Sequence, residues 1–95
     1  MSYSLKLAHE AQYEETDAYN YYEDIRAGLG DDLLLELEKC YTKISNYPFY
    51  YSYLENSNIL RHIRLSRFPY IIIYLVSGNN IIILSVRNTH RQPFI

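Results

Sequence analysis

Arg61, Arg64 and Arg67 recur at every third position, and Arg87 and Arg91 follow near the end of the chain. A guanidinium is charged at any physiological pH, and its planar fork matches a phosphate or a carboxylate. His90 stands beside Arg91, and an imidazole can take or give a proton near neutrality. These types together suit the cleavage of RNA. That reaction needs a base for the 2′-hydroxyl, an acid for the leaving oxygen and a cation for the phosphorane-like state. Glu55, in the stretch before the arginines, is the candidate second acid–base. The plainer reading is that the arginines are solvent-facing strand residues that deter edge pairing. In a regular strand Arg61 and Arg67 share one side and Arg64 opposes them. His9 and His62 read as structural.

Charge is divided along the chain. The first 58 residues hold all eleven Asp and Glu with only four Lys and Arg, a net −7, and residues 59–95 carry five arginines and no acid. The net −2 of the whole hides a basic C-terminal part, a plausible surface for an anionic partner. Tyrosine is abundant, twelve against no tryptophan, and a ring with a polar tip suits interfaces.

Several classes are excluded. A length of 95 residues suits one domain. A hydrophobic content of 48% argues against a disordered chain. No signal peptide is visible, and no apolar run approaches the roughly 18 residues that suggest a membrane helix. A cytoplasmic protein with no membrane partner is the simple reading. Cys40 is the only cysteine, so no internal disulfide can form. With three scattered histidines, no metal-ligand spacing arises, and no metal or other cofactor is expected. No phosphate-binding glycine loop or nucleophile elbow is present.

The elements that must position these residues follow from periodicity. Residues 3–7 alternate as a strand, with Leu5 and Leu7 on one face. Residues 9–26 have helical spacing, with Ala11, Ala18, Tyr22 and Ile25 on one side. Gly28-Leu29-Gly30 breaks that helix, and Asp31 or Asp32 can cap the next. Leu33, Leu37, Cys40, Tyr41 and Ile44 form its apolar stripe, and Ser45-Asn46-Tyr47-Pro48 stops it. The short gap folds the two helices into an αα-hairpin. An aromatic loop follows, in which Tyr51 and Tyr53 are candidate contacts for a partner. Residues 59–65, 70–76 and 81–87 read as strands, the last two apolar on both faces, with a hairpin turn at Ser77-Gly78-Asn79-Asn80. The expected class is α+β, a two-layer β-α-α-β-β-β arrangement with the N-terminal strand and the helix hairpin packed on a C-terminal antiparallel sheet.

The chain resembles the RelE/ParE toxin superfamily of bacterial toxin–antitoxin systems. Tyr21-Tyr22-Glu23, Gly28-Leu29-Gly30, Leu34-Leu35-Glu36-Leu37 and Asn46-Tyr47-Pro48 are similar to its helix hairpin. Arg61-His62-Ile63-Arg64-Leu65-Ser66-Arg67-Phe68-Pro69-Tyr70, then Ile73-Tyr74, then Val86-Arg87-Asn88-Thr89-His90-Arg91-Gln92-Pro93, resemble plasmid-stabilisation proteins of the ParE type. The resemblance spans nearly the whole chain and implies the same β-α-α-β-β-β fold. It implies a growth-arresting toxin held inactive by a cognate antitoxin. RelE-like members cleave messenger RNA on the ribosome; ParE-like members inhibit DNA gyrase and need no catalytic residues. Arg61, Arg87 and His90 match positions that some ribonuclease members use. Yet the pI of about 5.8, the lack of lysine in residues 49–58 and Tyr70-Ile71 where an arginine is common depart from the ribonuclease pattern. The ParE-like reading is therefore favoured. A ribosome-dependent ribonuclease and an inactive homologue that still binds antitoxin are the alternatives. Under every reading Arg61, Arg64, Arg67, Arg87 and Arg91 are expected to meet antitoxin or target.

Overall fold

The computed structural model describes residues 3–90. Its order is β1 (Ser4–Leu7), α1 (His9–Ile25), α2 (Leu29–Asn46), β2 (Arg61–Arg64), β3 (Tyr70–Ser77) and β4 (Asn80–Asn88), which is the order expected. The strands make one sheet in the order β1-β4-β3-β2. β2, β3 and β4 form the antiparallel meander. β1 extends the same sheet, parallel to β4, so the sheet is mixed. The long path through two helices is what makes a parallel partner reachable.

The helix hairpin covers one face. Tyr70, Ile72, Tyr74, Ile81, Ile83 and Val86 turn toward it and pack with Ala11, Ala18, Leu33, Leu37, Cys40 and Ile44. Leu5 and Leu7 join the rim of this core. Cys40 is thus core, as its place in the stripe implies, and burial raises its thiol pKa. Ile25 departs from its expected role: at the end of α1 it is exposed. The Tyr74 hydroxyl donates to the Pro48 carbonyl at 2.7 Å, which ties the loop after α2 to the sheet. Burial holds that phenol up at about 12.

The corner between the helices differs from the sequence reading. Only Gly28 breaks the chain, in the left-handed region at φ 91, and α2 begins at Leu29 with Gly30 inside it. Asp31 and Asp32 lie in the first turn of α2 without capping it. The cap comes from the preceding helix: Glu23 accepts from the amides of Gly28 and Gly30, both at 2.9 Å. A carboxylate one turn back reaches the free amides because the corner is so tight.

β4 carries an irregularity. Ile73 pairs with Ser85 but Tyr74 pairs with Ile83, so Leu84 is an extra residue. Glu14 of α1 accepts from the Ser85 hydroxyl and the Val86 amide, both at 2.8 Å. A buried amide left unpaired would cost about 1–3 kcal/mol, so this one carboxylate makes the bulge tolerable. Ile81 and Ile83 face the helices before it, and Val86 does so after it. The alternation has shifted by one residue.

Candidate functional site

Directly opposed residues in a sheet show their side chains on the same face. Arg64 lies opposite Ile71, and Ile71 lies opposite Arg87. The two arginines therefore flank Ile71 on the outer face, away from the helices. Their Cα atoms stand about 10 Å apart across two strand spacings. In a neighbouring row His62 opposes Ile73, and Lys6, opposite Ile82, adds a cation at the β1 edge. Arg64 is exposed, Arg87 and His62 are half-buried, and Ile71 and Ile73 are buried. The Nδ1 of His62 is buried with no hydrogen-bond partner among the described residues. None of the four strands contains an Asp or Glu. Cations around aliphatic side chains, unopposed by carboxylates within the sheet, suit an anionic partner.

Arg61 is used differently. It opposes Tyr74 and so turns to the helix side. Its Nη1 donates to the carbonyls of Tyr51 at 2.7 Å and Phe49 at 3.3 Å. Its guanidinium lies 4.0 Å from the Tyr53 ring centroid and 5.4 Å from that of Phe49. Tyr53 also bridges Arg61 through the backbone, with the Leu54 amide on the Leu60 carbonyl at 2.7 Å and the His62 amide on the Ser52 carbonyl at 3.1 Å. Residues 52–54 thus line the outer edge of β2, and Arg61 fastens the aromatic loop there. Tyr51 is half-buried against the core. Tyr47, Phe49, Tyr50 and Tyr53 remain exposed.

The five arginines do not form one cleft. Arg67 lies on the helix side, 3.6 Å from Asp32, and Arg91 lies outside the described residues. Arg64 and Arg87 are the pair brought together; Arg61 does not meet Arg87. Glu55 sits beyond the short segment that pairs with Leu60, and Leu60 is about 13 Å of strand from Arg64. His90 is exposed just past the other end of the sheet, its amide on Asn88 Oδ1 at 2.8 Å. The acid–base pair of Glu55 and His90 is therefore not assembled. The imidazole on the arginine face is His62, which the sequence reading took as structural. Strand parity with Arg64 was the available signal.

Glu36 of α2 positions the loop between β2 and β3. It accepts from the Ser66 amide at 3.0 Å, the Ser66 hydroxyl at 2.5 Å and the Arg67 amide at 3.3 Å. Desolvation acts to raise its pKa, but these bonds and the Arg67 charge hold it below the ordinary 4.5. A depressed carboxyl stabilises the fold above its unfolded value and loses that contribution as pH falls through its folded one. Glu36→Gln should therefore be less stable than the parent at pH 7, and the gap should close below pH 4.5, through the lowered folded pKa. Urea denaturation of both proteins across this range measures it. A gap that is constant with pH would exclude the linkage.

No known protein family and no curated protein matches the chain by sequence. Solved structures do match. A chain described as "Chromosomal ParDE TA system from P. aeruginosa" superposes with a TM-score of 0.80 at 17% identity, covering 90% of this chain and 95% of that one. The E. coli toxin RelE, as a mutant in the free state, superposes with a TM-score of 0.59 at 16% identity, covering 94% of this chain and 85% of that one. The chain therefore shares its fold with these two solved chains. Among the described residues, no helix is long and apolar enough to cross a membrane, and no group of three or more His, Cys, Asp or Glu could hold a metal ion.

Proposed function

We propose that this chain is the toxin of a type II toxin–antitoxin system, ParE-like, which arrests growth in the cytoplasm by inhibiting DNA gyrase and is neutralised by a cognate antitoxin. The observation that carries the proposal is the outer face. Arg64 and Arg87 flank one isoleucine on a sheet whose strands hold no carboxylate. Such a face binds an anionic partner through shape and charge without catalysing a reaction. A ribonuclease needs both a base and an acid at the phosphodiester, and Glu55 is remote from the pair. The greater similarity to the ParDE chain than to RelE supports the same reading.

One observation favours a second reading. His62 shares the face of Arg64 and Arg87, with no partner for its Nδ1 among the described residues. An imidazole on the same face as two guanidiniums is part of what a ribosome-dependent cleavage of messenger RNA would require.

Induction of the full chain in growing cells separates the two. The gyrase reading expects trapped, cleaved DNA complexes and an SOS response while labelled amino acids are still incorporated. Collapse of protein synthesis within minutes, without DNA damage, would replace it with the ribonuclease reading. No arrest at all, with an antitoxin complex still isolated, would mark an inactive homologue.

A further inference from the structure

The acidic side chains of α1 divide into two sets. Glu14 accepts from Ser85 and Val86, Glu15 from the Tyr41 hydroxyl, and Glu23 from the amides of Gly28 and Gly30. These three hold the fold together. Glu10, Asp17 and Asp24 are exposed. They recur every seven residues, close to two turns, and so fall on one stripe of the helix. Successive members stand about 10.5 Å apart at 1.5 Å per residue. The exposed ring of Tyr13 lies on the same stripe, and that of Tyr21 beside it. α1 contains no Lys or Arg, and the first basic residue after it is Arg26, at its C-cap.

The outer face of the sheet has the opposite sign and a similar spacing. Arg64 and Arg87 flank Ile71, about 10 Å apart, and Lys6 adds a third cation. None of the three forms an ion pair among the described residues. One chain cannot join its own two surfaces, because the helices cover the other face of the sheet. Two chains can. α2 is a poorer counterpart. Its acids are followed by Lys39 and Lys43, and Asp32 and Glu36 already serve Arg67 and Ser66.

We infer that the chain associates head to tail with a second copy of itself, α1 of one lying across the outer sheet face of the next. Carboxylates two turns apart then meet guanidiniums two strand spacings apart, and Tyr13 and Tyr21 cover the arginine stems. The contact joins unlike surfaces, so it is heterologous. Each added copy offers a fresh face, and growth continues unless a ring closes. Like surfaces would repel, cations against cations or α1 against α1. The charges are exposed, so the contact is weak and sensitive to salt. Its consequence is masking that rises with concentration: a copy within the stack has its cationic face covered. That face is the one the proposed function assigns to a partner, but the self-association does not rest on that reading.

Sedimentation equilibrium of the full chain tests it. At about 0.01 M salt the average mass should climb above 11.4 kDa as concentration rises. At about 1 M salt, where the screening length has fallen from about 30 Å to about 3 Å, it should return to 11.4 kDa. Arg64→Gln with Arg87→Gln removes the sheet partner, and Glu10→Gln with Asp24→Asn removes the helix partner. Each double variant alone should associate at least tenfold more weakly than the parent, with an unchanged circular dichroism spectrum. Mixed in equal amounts, they should form a pair that stops at two chains, since each supplies the surface the other has lost. A chain carrying Arg64→Glu, Arg87→Glu, Glu10→Lys and Asp24→Lys together should associate again. A mass of 11.4 kDa at every concentration would overturn the inference. So would undiminished association of either double variant, or a mixture no heavier than its components. The growth assay reads the toxin proposal separately. A non-toxic chain that associates through these surfaces would sink that proposal alone, and a toxic chain that stays monomeric would sink only the self-association.

Discussion

Reversing Arg64 and Arg87 together to glutamate should abolish the growth arrest proposed for this chain and leave the protein folded. Both side chains lie on the outer face, and neither forms an ion pair among the described residues. Neither substitution opens the core, so the thermal midpoint should change little. Breaking one close interfacial charge pair typically costs about 2–5 kcal/mol. Even at the low end, two such losses weaken a complex by about three orders of magnitude. Viable counts after induction should then recover more than a hundredfold over the parent, with each single reversal intermediate. Full toxicity in a folded double variant would show that this face is not the contact. Arg61 would be the wrong residue for this test. Its guanidinium holds the carbonyls of Tyr51 and Phe49, so its reversal releases the aromatic loop and confounds folding with recognition.

The second large effect belongs to Gly30. A Cβ there would sit 2.7 Å from the Tyr19 carbonyl oxygen, 2.8 Å from Tyr19 Cδ1 and 2.9 Å from a Glu23 carboxylate oxygen. The nearest of these is backbone and cannot swing aside. Gly30→Ala must therefore part the two helices where α2 passes the Tyr19 carbonyl and stretch the bond from the Gly30 amide to Glu23. Overpacking costs about 1–3 kcal/mol, and a weakened charge-assisted hydrogen bond adds about 1.5–3 kcal/mol. The better helix propensity of alanine returns only about 1 kcal/mol. Against a total stability of about 5–15 kcal/mol, the net loss is large. The thermal midpoint should fall by about 10 °C, at roughly 4–8 °C per kcal/mol for a domain of this size. An unchanged midpoint would mean that the corner is looser than it looks.

The same corner shows what sequence could and could not reveal. Helical spacing from Leu33 to Ile44 identified the stripe that is buried in α2, because apolar periodicity is local. Which residue caps α2 was not legible. Asp31 and Asp32 have the right type and place, yet Glu23 does the work because the corner folds it back onto those amides. Local chemistry proposes a cap, and the angle between helices disposes of it.

The site was legible by halves. Parity alone set Arg64 and His62 on one side of β2 and Arg61 on the other, and the pairing of β2 with β3 agrees. The partnership of Arg64 with Arg87 could not be read, since it depends on register across a third strand. Nor could the destination of Glu55. A loop residue has no period, and its distance from His90 is fixed by where residues 52–54 bind the β2 edge. Ile81-Ile82-Ile83-Leu84 is apolar at every position, so the phase of β4 left no trace in composition.

That silent phase matters beyond this molecule. Were Leu84 paired in a regular strand instead, Arg87 would share the side of Ile81 and Ile83 and point its charge into the helix layer. The cationic pair is thus created by the bulge as much as by residue type. Among relatives of this protein, a strand that lost the bulge but kept every residue would turn the charge inside out, whereas one that lost the residue together with the bulge would keep it outside. Whether a carboxylate stands where Glu14 holds the bulged amide is then a better guide to shared recognition than percentage identity.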